Sequence, residues 1–155
     1  MGIYLQNHEA AAQASADLFR RTAVNQRTKP YGDELHTLTV EVKEDLKKLR
    51  FIMWQAGVRP NPVLGLTLRL GERAGRLKPN GQLVRRAPLS DLIEIEGLLD
   101  AVSIKRAAWQ ALAAVPPSSD LDQADIQDLI ARADHQIARL GPIHSLVAAK
   151  VLTIG

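Results

Sequence analysis

The sequence predicts an all-α protein, a four-helix bundle in which a long crossover joins the second and third helices. Two observations carry this prediction. Apolar residues recur at helical spacing in four separate segments, and breaks rich in proline and glycine separate them. The first and third breaks are short, which pairs the flanking helices antiparallel, whereas the middle connection covers 58–88. A connection of that length can return along the whole bundle, as in ferritin-like connectivity.

The composition is that of one ordinary globular domain covering residues 1–155. With 46% hydrophobic and 24% charged residues, the chain has enough apolar material for a core and enough charge for a solvated surface. The absence of cysteine excludes disulfides and thiolate metal sites. No apolar run is long enough for an integral membrane span, and Asn7, His8 and Glu9 stand where a signal peptide needs an apolar core. We therefore expect a cytoplasmic protein.

The first two helices are predicted over 3–26 and 33–56. The first carries a one-sided apolar face of Tyr4, Leu5, Ala11, Ala12, Leu18 and Phe19. Asp33 is the predicted N-cap of the second helix, and Gly57 follows its end. Thr37 to Val42 also alternates with the period of a strand, but the helical stripe of the second segment continues through it, which favours a helix.

The third and fourth helices are predicted over 89–115 and from Ser119 onward. Pro116 and Pro117 end the third helix, and Ser119 with Asp122 resembles a capping box at the start of the fourth. Gly141 and Pro142 are expected to kink or break the fourth helix. Within the crossover, 63–75 is a candidate short helix.

The middle connection is also the most basic part of the chain. Between Arg59 and Arg86 seven basic residues stand against one acid, Glu72. Such a segment is typical of a solvated connector, but it could also bind nucleic acid or an anionic membrane surface. The residues of this anion-binding alternative are Arg73, Arg76, Lys78, Arg85 and Arg86.

Several short motifs of this chain together carry a resemblance to a known group of proteins. They are Tyr4-Leu5 through His8, Pro30-Tyr31-Gly32 with Glu34-Leu35, Glu44-Asp45, Gly57-Val58-Arg59-Pro60, the run from Gly71 to Lys78, Asn80-Gly81, and the run from Arg85 to Ser90. With these motifs the chain resembles a family of small bacterial helical-bundle proteins with ferritin-like topology and no assigned activity. The resemblance covers most of the chain and implies a recurring fold, but no substrate or cofactor.

A di-metal site in a ferritin-like bundle needs a Glu-x-x-His motif on two helices, and this chain contains none. A helical projection at 100° per residue places Asp45 near the apolar stripe of the second helix and Arg106 inside that of the third. Arg106 is a cation at a position where a metal site would need a ligand, which disfavours a metal site. We therefore expect no metal and no cofactor; an iron-binding bundle or oxidase is the alternative if these projections are wrong.

The inward polar residues in the same projection are His8, Asp45 and Arg106. Because a buried charge must be paired, and because a crossover makes the second and third helices parallel, we expect an ion pair between Asp45 and Arg106 with His8 nearby. This polar network either stabilises the core or forms a small binding site between helices.

No acid, base and nucleophile converge in the sequence, so the predicted protein is not an enzyme. We expect a protein-interaction or self-associating module, because the small residues Ala10, Ala11 and Ala14 on the first helix permit close helix approach. The expected partner is another protein or a second copy of the chain; the anion-binding module and the metal-binding bundle are the alternatives.

Overall fold

The computed structural model describes residues 1–61, 88–116 and 122–153. In these ranges the chain forms helices and no strand, which confirms the all-α prediction. The segment from Thr37 to Val42, with its strand-like alternation, is helical, and the hydroxyl of Thr39 donates to the Leu35 carbonyl 2.7 Å away. The four helices are α1 (Gly2–Asn25), α2 (Gly32–Gln55), α3 (Pro88–Ala113) and α4 (Gln123–Leu152).

The start of α2 differs from the predicted N-cap. Tyr31, not Asp33, is at the N-cap position, without a side-chain cap. Gly32 opens the helix because the chain turns tightly there: a Cβ at Gly32 would lie 2.6 Å from the Arg27 carbonyl oxygen. The close backbone approach, rather than a capping side chain, thus sets where α2 begins.

The fourth helix is capped by Asp122, whose carboxylate accepts from the backbone N–H groups of Ala124 and Asp125. The predicted cap Ser119 lies outside the described residues. Of the kink or break expected at Gly141 and Pro142, the break does not occur, because α4 continues through Pro142 to Leu152. Proline removes the hydrogen bond to the carbonyl of Ala138, an exposed residue whose carbonyl can be hydrated. Ile143 and Val147 beyond the proline remain buried, so packing holds the helix together.

The core contains residues from all four helices in two clusters, one at each end of the bundle. The start of α1, the ends of α2 and α3 and the start of α4 meet in one cluster, through Leu5, Met53, Leu112 and Ile126. At the other end, Lys29 in the α1–α2 loop forms an ion pair with Asp91 near the start of α3, N to O 3.1 Å. α2 and α3 therefore run in the same direction, and the end of α2 and the start of α3 lie at opposite ends of the bundle.

The helices pack as two antiparallel hairpins, α1 with α2 and α3 with α4, and α1 also approaches α3 closely. α2 and α4 meet mainly through long side chains. Every helix buries a row of residues spaced alternately three and four apart, the pattern of a bundle seam. The α2 seam, for example, is Leu35, Leu38, Val42, Asp45, Leu49 and Ile52. None of the described helices is both long and apolar enough to cross a membrane.

Candidate functional site

Each helix places a charged or amide-bearing residue on its mostly apolar buried face. These residues are Glu9 on α1, Asp45 on α2, Lys105 on α3 and Gln136 on α4. Asp45 is 2% exposed and Gln136 is fully buried, while the Lys105 side chain is 12% exposed. Buried polar groups are costly unless partnered, so their contacts define what the site can do.

Asp45, Lys105 and Gln136 form a closed triangle across the bundle, which we call the polar triad. The Lys105 ammonium donates to Oδ2 of Asp45 and to Oε1 of Gln136, both at 2.5 Å. The Gln136 amide in turn donates to Oδ2 of Asp45 at 3.1 Å. The charges of Asp45 and Lys105 compensate each other, and the glutamine orients both, since its amide supplies an acceptor to one and a donor to the other.

The second oxygen of Asp45 faces α4. Nε of Arg132 lies 2.9 Å from Oδ1 of Asp45, close enough for an ion pair although the N–H is not aligned for a hydrogen bond. Burial lowers the pKa of Lys105, and the Asp45 carboxylate opposes that effect. For Arg132, burial lowers the pKa, but the carboxylates of Asp45, Glu44 and Glu41 outweigh it and the pKa is raised. The carboxylates of α2 therefore bind both cations of the site, Lys105 and Arg132.

The outer side of the polar triad, between α2 and α4, is closed by ion pairs. Arg139 donates to Glu34 and, at 2.5 Å, to Glu41. Lys48 pairs with Asp125 at 2.6 Å. Hydrogen bonds to Glu34 and Glu41 raise the pKa of Arg139. This side of the bundle is bridged by long charged side chains.

Glu9 on α1 has its own partner. Its Oε1 accepts from Nε of Arg50 at 2.8 Å and from Nη2 of the same guanidinium at 2.6 Å. Arg50 also donates to Gln13 at 2.8 Å. Glu9 is thus a second buried carboxylate, satisfied by a partly exposed arginine on α2 rather than by the polar triad.

The predicted ion pair between Asp45 and Arg106 was wrong. Arg106 points outward and pairs with Asp134 on α4; its side chain is 38% exposed. The cation that reaches Asp45 is the neighbouring residue, Lys105. The buried row on α3 passes through Val102, Lys105 and Trp109, so the inward position lies one residue before the projected one.

His8, which was predicted to lie near Asp45, lines the same cavity as Asp45. His8 packs against Tyr4, with ring centroids 4.3 Å apart, and both line a cavity that Asp45 and Lys105 also line. Burial lowers the pKa of His8. The histidine is half-buried, so it lies at the side of the cavity rather than within the polar triad.

The cavity lies between α1, α2 and α3 and has a volume of about 310 Å³. Most of its wall is apolar, and small residues face one another across it, notably Ala11 and Ser15 on α1 and Gly97, Ala101 and Ala108 on α3. Ala10 is buried in the core, while Ala11 and Ala14 line the cavity. The alanines that we expected to support self-association therefore face the inside of the bundle and the cavity.

Sequence projection missed Glu9, Lys105 and Gln136. The signal that identifies them is the strict alternation of three and four residues along each seam. On α4 this gives Ile126, Leu129, Ala133, Gln136, Leu140, Ile143 and Val147, with the glutamine as the one polar member. The same count on α3 passes through Val102, Lys105 and Trp109.

The basic residues of the anion-binding alternative, Arg73, Arg76, Lys78, Arg85 and Arg86, lie outside the described residues, as does the candidate short helix at 63–75. That alternative stays a prediction. Among the described residues no three His, Asp or Glu side chains are grouped as metal ligands would be. Searches against protein families, curated proteins and solved structures found no match to this chain.

Proposed function

We propose that this protein is a non-enzymatic interaction module that binds a second copy of itself through an exposed aromatic pair on α2. The pair consists of Phe51 and Trp54, whose rings stack with centroids 5.9 Å apart. Trp54 is 73% exposed, and this single observation carries the proposal. Tryptophan is enriched among the residues that dominate binding energy at interfaces.

The surroundings of this pair support an interface. Phe51 is also exposed, and the Lys48 ammonium lies 5.6 Å from its ring centroid, a cation–π contact that orders the ring. Met1 and Ile3, at the start of α1, are exposed at the same end of the bundle. Exposed aromatic and apolar side chains at one end of the bundle give a second copy of the chain an apolar surface to cover.

A non-enzymatic role is supported by how the buried charges are used. Asp45 and Lys105 neutralise each other, and Glu9 is held by Arg50. A general base or nucleophile needs a lone pair or proton that is available to a substrate. These groups are instead committed to one another, which favours a structural role for them.

The fold that we propose for this module is the ferritin-like bundle with a crossover between α2 and α3. Its support is that α2 and α3 run in the same direction and that a long connection, residues 58–88, joins them. In such a bundle α1 and α2 form one hairpin and α3 and α4 the other, as their contacts require.

Sedimentation velocity over a wide concentration range tests the proposed self-association. We expect the wild-type chain to form a dimer, and Trp54→Ser to raise the dissociation constant by about thirtyfold, as for loss of an interface hot spot. Leu146→Ser, which removes another exposed apolar side chain, on α4, is the control and should leave dimerisation unchanged. Circular dichroism checks that both variants keep their helix content.

Two results would overturn the proposal. One is a wild-type chain that stays monomeric at all concentrations. The other is a dimer that Trp54→Ser and Leu146→Ser weaken to the same extent, because then the aromatic pair has no special part in it.

A further inference from the structure

The outer face of α2 carries a row of exposed residues that ends in the aromatic pair. Its members are three or four residues apart, so they are neighbours on one side of the helix. We call them the α2 row: Val40, Lys43, Lys47, Phe51 and Trp54. Lys43 and Lys47 are two residues before and after the buried Asp45, which is about 200° around the helix in either direction. The α2 row therefore lies on the side of α2 that is turned away from the core.

The outer face of α3 carries the same pattern with the opposite charge. Its exposed residues, which we call the α3 row, are Ile93, Glu96, Asp100, Ile104 and Ala107. The successive spacings are identical in the two rows, namely three, four, four and three residues. Two carboxylates thus occupy the places of the two lysines, and isoleucines occupy the places of Val40 and Phe51. The small residue Ala107 corresponds to Trp54.

The charges of both rows are available to a partner. Lys43, Lys47 and Asp100 form no ion pair with any residue of 1–61, 88–116 or 122–153. The carboxylate of Glu96 is half exposed, and its contact with Nε2 of His144 is long, at 3.5 Å. The two rows can therefore pair their charges with each other, and charge pairs of this kind fix the register of an interface.

A two-fold contact of the α2 row with itself is less favourable. In such a contact the same surface faces itself, so Lys47 of the two copies would lie close together. Like charges placed opposite each other disfavour an interface. The α3 row instead offers carboxylates to the lysines, and opposite Trp54 it has an alanine, over which the indole can lie.

The directions of the helices agree with a contact between the two rows. The charges match when both rows are read in the same chain direction, so α2 and α3 of different copies must pack parallel. Within one bundle α2 and α3 also run in the same direction, and they occupy opposite corners because α1 and α4 each contact both. A second copy that is displaced without rotation therefore brings its α3 row to the α2 row with the helices parallel.

We propose that the α2 row of one copy packs parallel against the α3 row of a second copy, in the register that places Lys47 opposite Asp100. This inference rests on the self-association proposed above and names the surface that receives the aromatic pair. The contact is head to tail, so each dimer keeps one free α2 row and one free α3 row. Such a dimer adds further copies as the concentration rises.

Mixing two variants tests the head-to-tail contact. Trp54→Ser disables the α2 row and Ile104→Ser the α3 row, and in sedimentation velocity each should raise the dissociation constant at least about tenfold. Each variant keeps the row that the other has lost. An equimolar mixture should therefore dimerise within about threefold of the wild-type affinity and stop at the dimer, whereas the wild type continues to larger species.

Leu146→Ser is the matched control for Ile104→Ser. The two side chains are 54% and 55% exposed, but Leu146 lies on α4, outside both rows. This variant should associate like the wild type, also when it is mixed with Trp54→Ser in place of the wild type. Circular dichroism checks that every variant keeps its helix content.

A charge exchange tests the register. Lys47→Glu and Asp100→Lys each place like charges opposite each other, and each should weaken association about tenfold at low salt. A chain that carries both substitutions restores the opposite charges and should associate within about threefold of the wild type. A double variant that is no better than the single variants contradicts the proposed register.

The outcomes separate this inference from the proposed function. If Trp54→Ser weakens the dimer but Ile104→Ser does not, or if the mixture associates no better than either variant alone, the α3 row is not the partner surface and only this inference fails. A wild type that stops at the dimer at every concentration contradicts the head-to-tail contact in the same way. A wild type that stays monomeric overturns both proposals.

Discussion

The α2–α4 side and the α1–α3 side of the bundle pack with different kinds of side chain, long charged ones on the first and small ones on the second. Between α2 and α4 the space is bridged by arginines and lysine that reach carboxylates on the other helix, as Arg139 reaches Glu34 and Glu41. Between α1 and α3 the side chains are alanine, serine and glycine, the backbones come close, and a cavity remains. The polar triad of Asp45, Lys105 and Gln136 lies between the two sides.

Because of this difference, the cost of a substitution in free energy of unfolding depends on which side of the core it changes. On the charged side Lys48, Arg132 and Arg139 each pair with a carboxylate of the facing helix, so removing one partner leaves the other unsatisfied. On the small-residue side a cavity is left between the helices, so added atoms can be accommodated. We therefore expect large losses of stability when side chains of the polar triad are truncated. Larger side chains at the cavity should be tolerated.

The largest effect is expected at the polar triad. Asp45→Ala should lower the free energy of unfolding by about 3–5 kcal/mol, because Lys105 would remain buried without its counter-charge. Urea unfolding followed by circular dichroism measures it. Glu44→Ala, which removes an exposed carboxylate of the same helix, is the control and should cost less than about 1 kcal/mol.

The double variant Asp45→Leu with Lys105→Met tests whether Asp45 and Lys105 stabilise the protein as a coupled pair. It should be more stable than either single variant, because it removes both charges together and leaves an apolar contact in their place. If the double variant loses as much as the sum of the two single variants, Asp45 and Lys105 are not coupled.

A smaller effect is expected on the outer side, between α2 and α4. Arg139→Ala should cost about 1 kcal/mol, since its partly buried guanidinium joins two carboxylates of α2, and the loss should diminish in high salt. Arg106→Ala removes an arginine from a more exposed pair with Asp134 and should cost less than about 0.5 kcal/mol. Equal losses in the two variants would mean that the bridge to Glu34 and Glu41 adds nothing.

The smallest effect is expected at the edge of the cavity, where burial lowers the pKa of His8. Between that lowered pKa and the ordinary value of about 6.5, the unfolded chain binds more protons at this residue than the folded chain. Protonation of His8 therefore contributes a loss of stability as the pH falls through this window. Comparing wild type with His8→Gln at pH 7 and pH 5 measures it: the wild type should lose more, and parallel losses would contradict the assignment.

The helices and much of the core could be predicted from the sequence. Leu35, Leu38, Leu49, Leu98 and Ile126 repeat at helical spacing, and that repeat is a local property of the chain. The start of α2 was predicted less well, because the contact between Gly32 and the Arg27 backbone that sets it is not a side-chain signal. The continuation of α4 through Pro142 depends on tertiary packing of the residues beyond it.

The site was predicted only in part. Asp45 was identified as inward because it sits among apolar residues of α2, and it is buried. Its partner was assigned one residue too far along α3, at Arg106 instead of Lys105. Lys105 and Arg106 both border the apolar stripe of α3, and packing against the other helices decides which of them faces the core.

The sequence by itself determined that four amphipathic helices form, that one carboxylate on α2 is buried, and that no thiol chemistry is available to the chain. These are consequences of residue type and spacing along one helix. Only the tertiary structure decided that Lys105 and Gln136 complete the polar triad, that Glu9 meets Arg50, and that alanines of α1 enclose a cavity. Those features depend on the separation and rotation of neighbouring helices, which no single helix specifies.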